Sequence, residues 1–110
     1  MERQYYIYLM TNHKNSVSYT GITNDLQRRM SEHKNKLIEG FTKRYNLTRL
    51  VYNESCGNIE SAIVGEKQIK AGSRQDKIDL VHSVNRDRHD LYSELQQLRN
   101  LIIPAAGGEN

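Results

Sequence analysis

This chain has one cysteine, few hydrophobic residues and no long apolar run, and each shortage excludes something. Cys56 stands alone, which rules out an internal disulfide and a multi-cysteine zinc site. No apolar stretch approaches the roughly 18 residues of a membrane-spanning helix, so no membrane span is expected. The N-terminal residues carry no apolar signal core. A lone thiol suits a reducing compartment, and a cytoplasmic location is expected. Hydrophobic residues make up 36% of the 110 residues, and the mean hydropathy is −0.80. One small domain with a modest core and a strongly polar surface follows. There is no internal repeat, no low-complexity segment, and no zinc finger or helix-turn-helix with which to read a nucleotide sequence.

What is present is unevenly charged. Residues 1–50 hold nine Lys and Arg against four Asp and Glu, while residues 51–110 hold seven against nine. Arg28, Arg29, Lys34, Lys36, Lys43, Arg44 and Arg49 crowd a short stretch containing Glu32 and Glu39. Such a cluster suits a polyanion; the alternative is a solvated basic face.

Gln4 to Met10 alternates and is rich in Tyr and Ile, which predicts a strand, and Val17 to Thr20 predicts a second. A tight turn centred on His13-Lys14 would place Tyr8 opposite Tyr19, beside Gly21. Asn24 is the expected cap of a helix from Asp25 to Glu39, with Leu26, Met30, His33 and Leu37 on one face. Phe41 to Asn46 reads as a basic loop and Thr48 to Ser55 as a third strand. Asn58 is the expected cap of a helix Ile59–Ala71, Ser73 of one reaching about Val84, and a last helix is expected from Asp90 to Ile102, with a disordered tail after Pro104. The architecture is α+β: a three-stranded antiparallel sheet flanked by helices, in the order β-β-α-β-α-α, plus a C-terminal helix. Residues 1–92 are expected to form the main domain and 93–110 a helical extension and tail. That extension packs on the domain or forms a weak dimer seam; a monomer or weak homodimer is expected.

Three polar intrusions stand out. His33 lies within the apolar stripe of the first helix, and Arg29 borders it while Arg28 points to solvent. Glu66 lies amid Ile59, Ala62, Ile63 and Ile69, where an unpartnered carboxylate would cost several kcal/mol. Each has a plain structural alternative: a hydrogen-bonded core histidine, an aliphatic arginine stem along the core edge, and a Glu66–Arg29 ion pair. Together, an arginine, phenols, an imidazole and one carboxylate point to phosphodiester hydrolysis. One carboxylate can hold a single Mg²⁺ whose other ligands are waters and phosphate oxygens.

The motifs Tyr6-Ile7-Tyr8, Tyr19-Thr20-Gly21-Ile22-Thr23-Asn24-Asp25-Leu26 with Arg28-Arg29, Phe41-Thr42-Lys43-Arg44-Tyr45-Asn46, Leu50-Val51-Tyr52 and Glu66-Lys67-Gln68-Ile69-Lys70 occur in order. Over about residues 4–92 the chain resembles a GIY-YIG endonuclease domain of the small stand-alone bacterial type, UPF0213-like. The resemblance implies a divalent-metal-dependent nuclease. Tyr8 and Tyr19 match the motif tyrosines, Arg29 the catalytic arginine, His33 a helix position often held by His or Tyr, Glu66 the metal-binding glutamate, and Asn85 an asparagine that closes the site. Gly65 replaces an arginine of this subgroup, and Arg86 and Arg88 stand where Pro and Trp usually do.

The combined expectation is a Mg²⁺- or Mn²⁺-dependent endonuclease acting on DNA with low sequence specificity. The alternative is a nucleic-acid-binding module of the same fold with weak or no catalysis. The candidate catalytic residues are Tyr8, Tyr19, Arg29, His33, Glu66 and Asn85, with Glu66 at the metal. The general base is Tyr8, Tyr19 or His33. Candidate nucleic-acid contacts are Arg28, Lys34, Lys36, Lys43, Arg44, Lys70 and Arg74.

Overall fold

The computed structural model describes residues 4–95 and 97. Its elements are β1 (Tyr5–Thr11), β2 (Ser18–Thr23), α1 (Leu26–Lys34), α2 (Phe41–Arg44), β3 (Arg49–Cys56), α3 (Ile59–Ala71) and α4 (Arg74–Val84). The strands form one antiparallel sheet in the order β2-β1-β3. The fold is the expected α+β arrangement. Among the described residues no helix is long and apolar enough to cross a membrane.

The middle strand β1 is buried on both faces, and each face seeds its own core. Tyr8 and Met10 pack with Leu26, Met30, Leu47 and Leu50. Leu9 packs on the other side with Val51, Tyr52 and Val81. The β1–β3 register slips by one residue, pairing Leu9 with Tyr52 but Met10 with Leu50. Val51 is the extra residue of a bulge. The bulge breaks the expected alternation, so that Leu50 serves one core while Val51 and Tyr52 serve the other.

The hairpin differs from its expected register. Tyr8 pairs with Gly21, and Tyr19 with Met10. The connection is longer than a tight turn because Asn12 organises it: its Oδ1 accepts from Ser16 N at 2.9 Å, and its backbone N–H donates to Val17 O at 3.4 Å. The shift is two residues, so Tyr8 and Tyr19 keep a common face but sit diagonally. Gly21 then lies directly opposite Tyr8. A Cβ there would stand 2.6 Å from both Tyr8 Cζ and Oη and 2.9 Å from Tyr19 Cε2. The glycine makes room for the Tyr8 ring.

Helix α1 is capped by Asp25, not Asn24; its carboxylate accepts from Arg28 N at 3.1 Å. The helix buries Leu26, Met30 and His33, one face of two turns. It stops before Leu37, which is 69% exposed. Lys36 takes a left-handed φ of 56°, and the Asn35 amide donates to Ser31 O at 2.9 Å. That local closure outweighs one more apolar residue on the stripe. The expected loop Phe41–Asn46 contains the single helical turn α2.

Helix α3 packs on the sheet through Ala62, Gly65, Glu66 and Ile69, a row spaced by three, one and three residues. Ile59 and Ile63, expected on that face, are exposed at its edge. Gly65 is the point of closest approach: a Cβ there would meet Ile7 Cδ1 at 2.6 Å. Its lack of a side chain lets the helix approach the sheet. Asn58 and Ser73 cap α3 and α4 as expected, Ser73 within a full capping box.

After α4 the chain crosses back to the first core. Leu91, Tyr92 and Leu95 pack against it, Leu91 N donates to Leu50 O at 2.7 Å, and Gln27 donates to Leu95 O at 3.0 Å. The start of the expected C-terminal stripe thus lies on its own domain. The rest of the helix expected to Ile102, and the tail after Pro104, lie outside the described residues.

Candidate active site

The densest polar cluster sits inside the first core. Tyr8, from β1, is almost wholly buried, and its hydroxyl lies 3.1 Å from His33 Nε2. His33, from α1, is equally buried, and its Nδ1 lies 3.0 Å from Thr42 Oγ1. Three elements therefore meet in one hydrogen-bonded line. Tyr19, from β2, closes the ring cluster, its centroid 6.2 Å from those of both Tyr8 and His33. Thr42 was not among the sequence candidates. Inside a basic stretch, nothing in the pattern distinguished it; only the turn of α2 points it inward.

Burial sets the chemistry of this line. It pushes the Tyr8 phenol well above its ordinary 10.0, with Tyr19 adding to the rise, Arg29 opposing it, and Glu66 and Glu32 adding a little more. Burial, then Arg29, hold His33 below its ordinary 6.5 against an upward pull from Glu32. At neutral pH the imidazole is therefore uncharged. Neutral imidazole accepts through one ring nitrogen and donates through the other, which matches its two hydroxyl neighbours. His33 is a satisfied core histidine that links the hydroxyls of Tyr8 and Thr42.

The two adjacent arginines divide as the helix projection requires. The Arg28 side chain is 62% exposed and that of Arg29 33%. Arg29 Nε is buried without a hydrogen-bond partner. It lies 3.9 Å from Glu32 Oε1, too far for a hydrogen bond. Arg28 reaches Glu32 Oε2 at the same distance. Glu32 is thus shared by both arginines, a role its sequence position one turn on allows but does not announce.

Glu66 makes its ion pair with Lys70 at 2.9 Å, not with Arg29. Its side chain is 18% exposed, so it is neither sealed in the core nor free in solvent. Its charge is felt at the Tyr8 hydroxyl. Among the described residues no three His, Cys, Asp or Glu converge to hold a metal ion. The fit to a divalent ion is therefore that of a single hard-oxygen donor at the site's rim. That fits Mg²⁺ or Mn²⁺ held mostly by waters and phosphate oxygens, and no closed protein cage.

Asn85 is placed elsewhere. It is buried, its amide donates to Val51 O (3.0 Å) and His89 O (2.8 Å), and its Oδ1 accepts from His89 N (3.0 Å). Both its donors and its acceptor are committed to backbone, which makes it a staple between α4 and β3. The basic candidates also scatter. Lys34 is committed: it donates to Thr48 O at 2.8 Å, pairs with Asp90, and stands 5.0 Å from the Tyr92 ring centre. It clasps the C-terminal segment to α1 rather than offering a charge to solvent. Lys43 pairs with Glu39 at 2.9 Å, and Lys36 donates to Asn46 at 2.7 Å. Arg74 lies on the second core's side, in a groove of about 360 Å³ with Leu9, Val51 and Val81.

This constellation can be set beside known proteins. The family model described as the GIY-YIG catalytic domain matches residues 4–79. The chain belongs to the GIY-YIG family. That family is a superfamily of nucleases. UPF0213 protein SSP2268 of Staphylococcus saprophyticus is 33% identical over 78 residues, 71% of this chain and 94% of that protein. UPF0213 protein plu4503 of Photorhabdus laumondii is 32% identical over 80 residues, 73% and 76% of the two chains. The solution NMR structure of UPF0213 protein BH0048 from Bacillus halodurans has 28% identity and a TM-score of 0.52, covering 79% of this chain and 92% of that one. The matched span holds Tyr8, Tyr19, Arg29, His33 and Glu66 and ends before Asn85.

Proposed function

We propose that this GIY-YIG protein is a divalent-metal-dependent endonuclease that hydrolyses DNA phosphodiester bonds with low sequence specificity. The observation that carries this reading is the buried line Tyr8–His33–Thr42 beside an arginine whose Nε lacks a partner. An unmatched donor costs stability, which supports a reserved role for Arg29.

The raised pKa of Tyr8 supports a relay through His33 rather than a free phenolate base. A phenol so hard to ionise is a poor free base. It can relay a proton: the attacking water gives its proton to the Tyr8 oxygen as the Tyr8 proton passes to neutral His33. The water oxygen bonds to phosphorus, and the bond to the leaving 3′ oxygen breaks with its electron pair. That oxygen takes a proton from solvent while the imidazolium returns one to solvent. The imidazolium left behind is disfavoured by burial and Arg29, so it sheds the proton readily. Thr42 keeps the ring oriented. Arg29 meets charge growing on the phosphate with a planar, permanently charged donor set, and Tyr19 borders the same space. Glu66 would hold the metal ion, which when bound supplies Lewis-acid polarisation of the phosphate.

A specific observation favours a binding-only rival: Lys70 already neutralises Glu66. A plasmid-nicking assay with Mg²⁺ and with EDTA separates the two. Metal-dependent nicking by the wild type, lost in Glu66→Gln, supports the enzyme. DNA binding without nicking under either condition refutes it.

A further inference from the structure

The only phenylalanine of this polar chain stands on its surface. Phe41 is 46% exposed and Tyr45 42%. Their rings touch, with centroids 4.7 Å apart, and Phe41 stacks on Tyr19 at 6.4 Å with 29° between the planes. A continuous aromatic path thus runs from solvent through Tyr45 and Phe41 to Tyr19 and the Tyr8–His33 pair. The backbone holds it in place. Gly40 (φ 120°) and Asn46 (φ 59°) bracket the turn. Thr42 is drawn inward to His33 and Leu47 is fully buried, so Phe41, Lys43, Arg44 and Tyr45 are left facing solvent. They line an open groove with Glu39 and Gly40.

The charges beside the rings say what would cover them. Lys43 is balanced by Glu39. Arg44 stands 5.5 Å from the Tyr45 ring centre and makes no ion pair among the described residues. Among the described residues the Lys36 ammonium donates only to the neutral Asn46 amide oxygen. The patch therefore offers open π-faces beside unpaired positive charge, which is the surface a single-stranded nucleic acid requires. A paired duplex cannot use it, because its base faces are covered by their neighbours.

We propose that Phe41 and Tyr45 form a base-stacking platform that binds unpaired nucleotides and feeds the strand to the site at Tyr19. The proposal rests on the nuclease reading and narrows its substrate to single-stranded or unpaired nucleic acid. Arg44 holds the strand's backbone.

The test is binding in EDTA, which is independent of cleavage. Fluorescence anisotropy of the full chain is measured with labelled oligothymidylate, the same oligomer with abasic sites, and a blunt hairpin duplex. Phe41→Ala and Tyr45→Ala should each weaken oligothymidylate binding about five- to a hundredfold, and leave duplex binding within about twofold. Phe41→Trp should restore it. On the abasic strand the wild type should already be weak and Phe41→Ala no weaker. Equal losses on duplex and single strand, or an undiminished Phe41→Ala affinity for the abasic strand's parent, would overturn the platform. So would sedimentation showing that Phe41→Ala abolishes self-association while oligonucleotide binding stays unchanged. If Glu66→Gln still nicks but the anisotropy pattern holds, the metal assignment fails and the platform stands.

Discussion

The two sides of the site are built to different tolerances. On the α1–α2 side, Tyr8, His33 and Thr42 are buried and bonded to one another. On the α3 side, Glu66 is partly exposed, its one ion pair goes to an exposed lysine, and its neighbours Ile59 and Ile63 face solvent. The first side is already organised in the protein alone. The second, on the proposed function, would be completed by metal and substrate. A small domain can keep a buried hydrogen-bonded line rigid because that line is part of its core, while the edge at Glu66 costs little to leave open.

The largest test of that difference is at Glu66 and Arg29. Glu66→Gln removes an i,i+4 ion pair to an exposed lysine and keeps the side chain's shape, so stability should change by about 1 kcal/mol or less. Nicking should fall by on the order of 100-fold or more, and Arg29→Ala should do the same. Nicking rates and melting curves on the same preparations check both halves. A wild-type rate for Glu66→Gln would remove the α3 side from the site.

The rigid side is broken most directly at Gly21. A Cβ there would overlap the Tyr8 ring end and approach the Tyr19 ring, and the Tyr8 hydroxyl is tied to His33. Gly21→Ala should cost about 1–3 kcal/mol, roughly 5–20 °C in melting temperature for a domain of this size. Differential scanning calorimetry measures it. An unchanged melting temperature would mean that the Tyr8 ring moves freely and that this side is no more rigid than the other.

The sequence made much of this legible, for physical reasons. Caps at Asn58 and Ser73 depend on side chains that bond their own next turn, so α3 and α4 could be bounded without tertiary knowledge. The split between Arg28 and Arg29 follows from helix geometry alone. The hairpin register did not follow, because Asn12 builds a longer turn out of its own amide. The isoleucine spacing of α3 points to an isoleucine face. In fact small residues let the helix approach, and Gly65 leaves no hydrophobic signal. Thr42, Glu32 and the working role of Asn85 depend on which elements meet in space. No spacing along the chain encodes that.

A smaller effect separates the sides by pH. His33 has its folded pKa held below 6.5, so below about pH 6.5 the unfolded chain takes up a proton that the folded chain resists. Stability therefore rises with pH through this window, is fully present above 6.5, and falls as the pH drops until the folded pKa is passed. Melting temperature followed from pH 8 to pH 5 should fall in the wild type, and fall less in His33→Gln. The nicking rate should hold until the pH falls through the lowered folded pKa of His33 and decline only there, because protonated His33 cannot accept the relayed proton. Parallel melting profiles for the two proteins would place the acid sensitivity elsewhere.

The smallest expected change in stability is at Gly65, where the compliant side can be pressed without touching the relay. The added Cβ of Gly65→Ala meets a single terminal methyl, Ile7 Cδ1 at 2.6 Å, and then nothing closer than Ile7 Cγ1 at 4.0 Å. One rotation of Ile7 or a small outward shift of α3 relieves the contact. The gain in helix propensity, about 1 kcal/mol over glycine, offsets an overpacking cost of similar size. The melting temperature should therefore stay within a few degrees of wild type. Glu66 is the next residue, however, and any shift of α3 moves its carboxylate. Because misplacement by an ångström can cost about 100-fold in rate, even a partial shift should slow nicking by roughly two- to tenfold. A variant that melts like the wild type but cuts more slowly is what an open metal edge beside a rigid relay requires. A variant that loses stability and rate together, as Gly21→Ala should, would show that both sides are held equally tightly.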